Sequence, residues 1–175
     1  MHTPSEMNRA WILSSRPTGE PDDATFSLVE KEIPVAGDRQ MLLRTVYLSL
    51  DPYMRGRLDA GKSYAPPVAI GEVMVGGTVS QVVHSNIAGF APGDWVLHQG
   101  GWQGYSLSGA EGAMKIDPQI AQPSHALGIL GMPGFTAFMG LSKIGLPRKG
   151  ETLVVAAATG PVGATVGQLA RLWGC

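Results

Sequence analysis

Glu151-Thr-Leu-Val-Val-Ala-Ala-Ala-Thr-Gly-Pro-Val-Gly-Ala-Thr-Val-Gly-Gln-Leu-Ala-Arg-Leu-Trp-Gly-Cys175 is the stretch whose reading decides the fold. Thr152 to Ala157 is a short apolar run rich in β-branched residues, which predicts a strand buried on both faces. Ala158-Thr159-Gly160-Pro161-Val162-Gly163 follows as a glycine turn. A helical pattern then sets Val162, Val166, Leu169 and Trp173 on one face. Strand, glycine turn and helix in this order read as the first βα unit of a dinucleotide-binding fold. Gly160 lets backbone approach a pyrophosphate, Gly163 lets the helix lie close on the strand, and the helix N–H groups face the phosphates. Ala158 replaces the first glycine of the usual Gly-x-Gly-x-x-Gly pattern, so a glycine-bearing turn of any α/β protein is the competing reading. One strand and one helix cannot complete a doubly wound sheet, so the chain reads as the front part of a larger protein.

Upstream of that stretch the pattern is different. Asn8 to Ser15, Phe26 to Ile33 and Met41 to Leu50 read as strands, the last the most buried, with Leu43, Val46, Leu48 and Leu50 apolar. Pro- and Gly-bearing turns separate them. Val68 to His84 is predicted as a long strand region, with Gly71, Gly76 and Gly77 marking bulges or bends that close small barrels. Short strands are predicted after Pro92-Gly93-Asp94, at Tyr105 to Leu107 and at Ala113 to Ile116. Many short strands between turns indicate an all-β barrel or sandwich. From Pro123 the pattern turns helical: Ser124 is the predicted cap of one helix, Gly131-Met132-Pro133-Gly134 the break, and Phe135 to Ile144 a second helix. The expected architecture is mainly β with an α/β start at the C-terminal end, divided into 1–122 and 123–175.

Composition excludes several functions. Thirteen basic and fourteen acidic residues give a net charge of −1 without a basic block, which argues against nucleic acid and anionic membranes as partners. Hydrophobic residues make up 44% of the chain, so it can fold into globular domains. Cys175 is the single cysteine, which leaves no internal disulfide and no cysteine-built zinc site. His2, His84, His98 and His125 are scattered at non-ligand spacings and read as surface or satisfied core histidines. The start of the chain is polar and no run approaches a membrane span, so a cytoplasmic location is expected.

Asp51-Pro52-Tyr53-Met54-Arg55-Gly56-Arg57 crowds a tyrosine, an aspartate and two arginines at a strand end, where loops often carry chemistry. Tyr53 and Tyr64 are the candidate catalytic side chains, because a phenol can donate to a carbonyl oxygen on which charge develops. Packing tyrosines and a solvated, capped turn are the competing readings.

Four stretches together resemble a known superfamily: Leu48-Ser-Leu-Asp-Pro-Tyr-Met-Arg-Gly-Arg57, Gly71-Glu-Val-Met74, Gly131-Met-Pro-Gly-Phe-Thr-Ala137 and Ala156-Ala-Ala-Thr-Gly-Pro-Val-Gly-Ala-Thr-Val-Gly-Gln168. They are similar to the medium-chain dehydrogenase/reductases, in the zinc-independent leukotriene hydroxydehydrogenase and prostaglandin reductase branch that includes bacterial curcumin reductases. The resemblance implies a GroES-like β-barrel domain followed by the first βα unit of a Rossmann fold. It also implies an NADPH-dependent reductase of the C=C bond of α,β-unsaturated ketones and aldehydes, acting on a small-molecule enone. By the same resemblance Asp51, Pro52, Tyr53, Met54, Arg55 and Tyr64 line the substrate cleft, with Trp102 and Gln103 nearby. Met132, Pro133 and Thr136 border the nicotinamide, and Gly160, Pro161, Val162 and Gly163 hold the pyrophosphate. Zinc-dependent relatives use a cysteine near Asp51 and a histidine where this chain has Gly71, so no metal is implied. Residues that read the adenosine phosphate are expected beyond Cys175. The 175 residues alone are accordingly expected to be inactive, and the complete protein to form a homodimer. Two further readings remain: a free-standing GroES-like binding module, and a quinone reductase of the same superfamily.

Overall fold

The computed structural model describes residues 6–61 and 63–175; of the residues read above, His2 lies outside that range. The chain divides into two compact units, the first ending at Asp117 and the second being Pro118–Cys175.

The first unit is built from antiparallel strands. Strands β1 (Asn8–Leu13) and β2 (Phe26–Lys31) form a two-stranded sheet. A five-stranded sheet has the order β6-β3-β4-β5-β7, from β3 (Met41–Leu48), β4 (Thr78–Ser85), β5 (Trp95–His98), β6 (Tyr105–Ser108) and β7 (Ala113–Ile116). Alternation along these strands explains the core. Met41, Leu43, Val82 and Val96 point to one buried cluster, and Leu13, Met54, Leu58, Val68 and Met74 form another.

The expected long strand over residues 68–84 is realised only as β4. Residues 70–74 instead run along the free edge of β1: the N–H of Gly71 donates to Leu13 O (2.7 Å), that of Leu13 to Glu72 O (3.0 Å) and that of Met74 to Trp11 O (2.9 Å). Leftover backbone groups of β1 are satisfied this way without a regular strand. Irregularity falls inside the β3–β4 pairing as well, where the register shifts between Leu42 and Leu43 and between Thr45 and Tyr47. The second shift corrects the expectation that the end of β3 is deeply buried. Val46 and Leu48 lie partly open at 39% and 36%, and Leu50 beyond the strand is 71% exposed. A bulge turns the following side chains relative to the pleat that buries Met41 and Leu43.

The second unit is helical. A 3₁₀ turn at Pro123–Leu127 precedes α2 (Met132–Met139), a π turn at Gly140–Gly145 and α3 (Pro161–Leu172). Ser124 lies inside the 3₁₀ turn and caps nothing; Gln122 holds the cap position. Pro133 is not a breaker but sits in the first turn of α2, where its missing N–H removes no helical bond. Residues 152–157 form no strand, and Val154 is 88% exposed. A parallel strand needs neighbours to accept its backbone bonds, and the described residues of this unit provide none. The α3 helix does form, with Gly163, Thr165 and Ala170 buried and Val166, Leu169 and Trp173 half-buried, whereas Val162 is exposed. Phe138 meets Trp173 edge-on at 6.4 Å and joins α2 to α3.

Large apolar side chains remain open on this unit, among them Leu130, Phe135, Ile144, Leu146 and Leu172. Such exposure favours association. Light scattering on the isolated 175-residue chain should show oligomers at micromolar concentration; a monodisperse monomer would contradict this.

His98 offers a second test. It is 5% exposed, its Nε2 lies 3.0 Å from Ser80 Oγ, and burial lowers its pKa to about 4. Between pH 6.5 and about 4 the unfolded chain therefore binds a proton that the folded chain refuses, so stability falls as pH falls through that window. The full loss is roughly 3 kcal/mol. Asp94, held below its usual range by its hydrogen bond to Lys115, loses its contribution only at lower pH. Urea unfolding across pH 4.5–7 should show the decline, and His98→Asn should flatten it.

Candidate active site

Pro52 starts a single helical turn, α1 (Tyr53–Gly56), immediately after β3. Met54 points inward, 5% exposed, and its sulfur receives the Asp51 N–H at 3.5 Å. Around it lies a pocket of about 390 Å³ with an almost wholly apolar wall. Phe26 from β2, Leu50, Pro52, Met54, Leu58, Met74 and Trp102 form that wall, and Asp51 and Arg55 bring polar groups to it. Phe26 and Trp102 are tilted against each other at 5.2 Å. Its size and lining suit a small organic molecule with an apolar body.

Arginines hold the loop that carries this wall. Arg16 Nη1 donates to Leu58 O at 2.6 Å and Nη2 to Val68 O at 2.9 Å. Arg55 donates to Asp59 Oδ1 and to Gly19 O, both at 2.8 Å. Its guanidinium is thus already engaged with the 16–21 turn. Sequence reading overlooked Arg16, Phe26, Leu58 and Met74. Phe26 and Met74 carried only an apolar signal, and an arginine in a turn offers nothing to distinguish a clamp from a solvated charge.

The tyrosines are placed differently from each other. Tyr53 is half-buried against the Leu13–Met54–Met74 cluster, and its pKa is raised, by burial first and then by the carboxylate of Asp51. Its hydroxyl therefore stays protonated through neutral pH, as a donor requires. Tyr64 is 84% exposed and near enough to Tyr53 to influence its titration. Neither hydroxyl is among the groups that form the wall of the pocket. Gln103 lies on the other side of Trp102, donates to Gly100 O at 2.8 Å and receives Asn8 Nδ2 at 3.2 Å.

In the second unit Met132 is exposed, Pro133 buried, and the exposed Thr136 donates back to Met132 O at 2.8 Å. Gly160 is the N-cap of α3 and Pro161 stands in its first turn. The helix has no side-chain cap and no acidic residue in that turn, so its first N–H groups are open to an anion. A Cβ on Gly163 would run into the carbonyl of Ala157, which excludes any larger residue there.

Arg16→Ala should lower stability by about 1–3 kcal/mol, since two inward carbonyls lose charged donors. Arg16→Lys should recover part of that loss in a urea titration.

Several known proteins are similar to this chain. Residues 9–116 match the family described as the N-terminal domain of oxidoreductase. The NADPH-dependent curcumin reductase of Escherichia coli strain K12 is 59% identical over 170 residues, covering 97% of this chain and 49% of that protein. Prostaglandin reductase 1 of Bos taurus is 39% identical, over 95% of this chain and 50% of its own length. Among solved structures, CurA in complex with NADPH from Vibrio vulnificus superposes with a TM-score of 0.89 at 56% identity, over 95% of this chain and 50% of that one. The chain spans about half the length of the curated relatives that it matches.

Proposed function

The chain belongs to the family of oxidoreductase N-terminal domains, and from that premise we propose that it supplies the substrate pocket of an NADPH-dependent reductase of α,β-unsaturated ketones and aldehydes. The observation that carries the reading is the apolar pocket built on the Asp51–Arg55 turn, in a chain similar to an NADPH-dependent curcumin reductase and to prostaglandin reductase 1.

Bound NADPH supplies a hydride to the β-carbon of the enone. The residues of α3 fit its pyrophosphate: Gly160, Pro161, Val162 and Gly163 leave an uncapped helix start without a carboxylate. Met132, Pro133 and Thr136 border the nicotinamide in this reading.

The chain's own work is to bind and polarise the substrate. Phe26, Met54, Met74 and Trp102 surround its apolar body and exclude water. Tyr53 donates its hydroxyl hydrogen to the carbonyl oxygen, on which charge builds as the enolate forms. Tyr64 assists from the exposed side of the same loop. Solvent then delivers a proton to the α-carbon, so hydride plus proton saturates the double bond. Among the described residues no group of three or more His, Cys, Asp or Glu is placed to hold a metal ion. We place the reaction in the cytoplasm, and the complete protein in a homodimer.

Tyr53→Phe should reduce kcat about 10²–10³-fold with a small change in KM, in line with loss of one oxyanion donor. Enone-dependent NADPH oxidation measures this. Unchanged turnover by the variant in the complete protein removes Tyr53 from the mechanism, and no turnover by the complete wild-type protein removes the enone reading.

A further inference from the structure

A second pocket, of about 310 Å³, lies beside the first, and Trp102 is the residue that the two walls share. Their other walls continue along the same chain segments. Phe26 faces the first pocket and Leu28, two residues on in β2, the second. Residues two apart on a strand point to the same face, about 6.6 Å from each other. Leu48, the last residue of β3, lines the second pocket, and Leu50, just beyond the strand, lines the first. The two hollows are therefore neighbouring segments of one trough, with the indole of Trp102 standing across it.

Trp102 is held firmly at its backbone and only by packing at its ring. Its N–H donates to Met74 O and its carbonyl accepts the Trp11 N–H, both at 2.8 Å. Its indole Nε1 is buried with no hydrogen-bond partner among the described residues. A Cβ on Gly76 would come within 3.1 Å of Trp102 Cδ1 and 2.9 Å of Leu48 Cδ1, so glycine leaves the space that the ring fills.

We propose that Trp102 is a specificity-determining partition: it closes the trough behind Phe26 and Met54 and so limits the length of the apolar arm that an enone can carry. This deepens the reading of the pocket as a substrate site and rests on it. Removing the indole joins the two hollows and gives a long arm apolar contacts with Leu28, Leu48 and Trp11.

The test compares a methyl-terminated straight-chain enone with its decyl-armed homologue, using the protein as naturally encoded. In Trp102→Ala the ratio of kcat/KM for the long over the short enone should rise about tenfold or more, the scale set by a few extra buried methylenes. Trp102→Leu, a gentler truncation, should move the ratio the same way, with melting temperature recorded for both variants. A ratio within twofold of wild type in a folded variant overturns the partition while leaving the enone reading intact. Absence of turnover of either enone by the wild type overturns that reading, and the partition with it.

Discussion

The backbone stitch at Trp102 is the constraint on which the first unit depends. Strand β1 uses one edge for β2 and offers the other to residues 71–74 and to Trp102, through Trp11 N–H to Trp102 O and Met74 N–H to Trp11 O. Trp102 N–H then closes the set on Met74 O. Three segments far apart in sequence are thereby fixed within hydrogen-bond distance of each other. A backbone donor or acceptor left unpaired inside a fold is costly, so each stitch favours the arrangement. Gly101 makes the turn possible. Its φ is +74°, and a Cβ there would sit 2.8 Å from Met74 O, a position that only glycine occupies without strain.

The pocket follows from that stitch. With Met74 and Trp102 fixed, β2 brings Phe26 against the indole, and the α1 turn lays Met54 and Leu58 opposite. Arg16 and Arg55 then tie the α1 loop to the 16–21 turn through carbonyl oxygens rather than through carboxylates alone. Donors on a rigid guanidinium fork suit such a task, because two bonds are made for one ordered group. Polar chemistry is thus kept to the rim while the wall stays apolar. Tyr53 is half-buried against the Leu13–Met54–Met74 cluster, with its proton retained by burial and by the nearby Asp51.

The chain spans about half of the relatives that it matches, and among the described residues its second unit holds helices but no strand. Its helix α3 forms because helical bonds are internal to the segment. The run before it remains without strand structure because strand bonds must be made with neighbours. The same apolar residues that predict a buried strand, Val154 foremost, are consequently open.

Sequence alone determined whatever depends on local chemistry and short spacing. The strands around Trp11, Phe26, Leu43, Val96 and Met114 were legible from alternation between turns, and the α3 helix from its glycines and apolar face. Family resemblance was equally legible in the Asp51–Arg57 and Gly160–Gly163 stretches. Only tertiary structure decided which apolar residues wall the pocket, because Phe26, Met74 and Trp102 meet through backbone bonds between distant segments. It also decided that Pro133 begins a helix, that bulges open the end of β3, and that Arg16 is a clamp. These outcomes depend on which partner each backbone or guanidinium group finds across the fold, and a linear pattern does not contain that pairing.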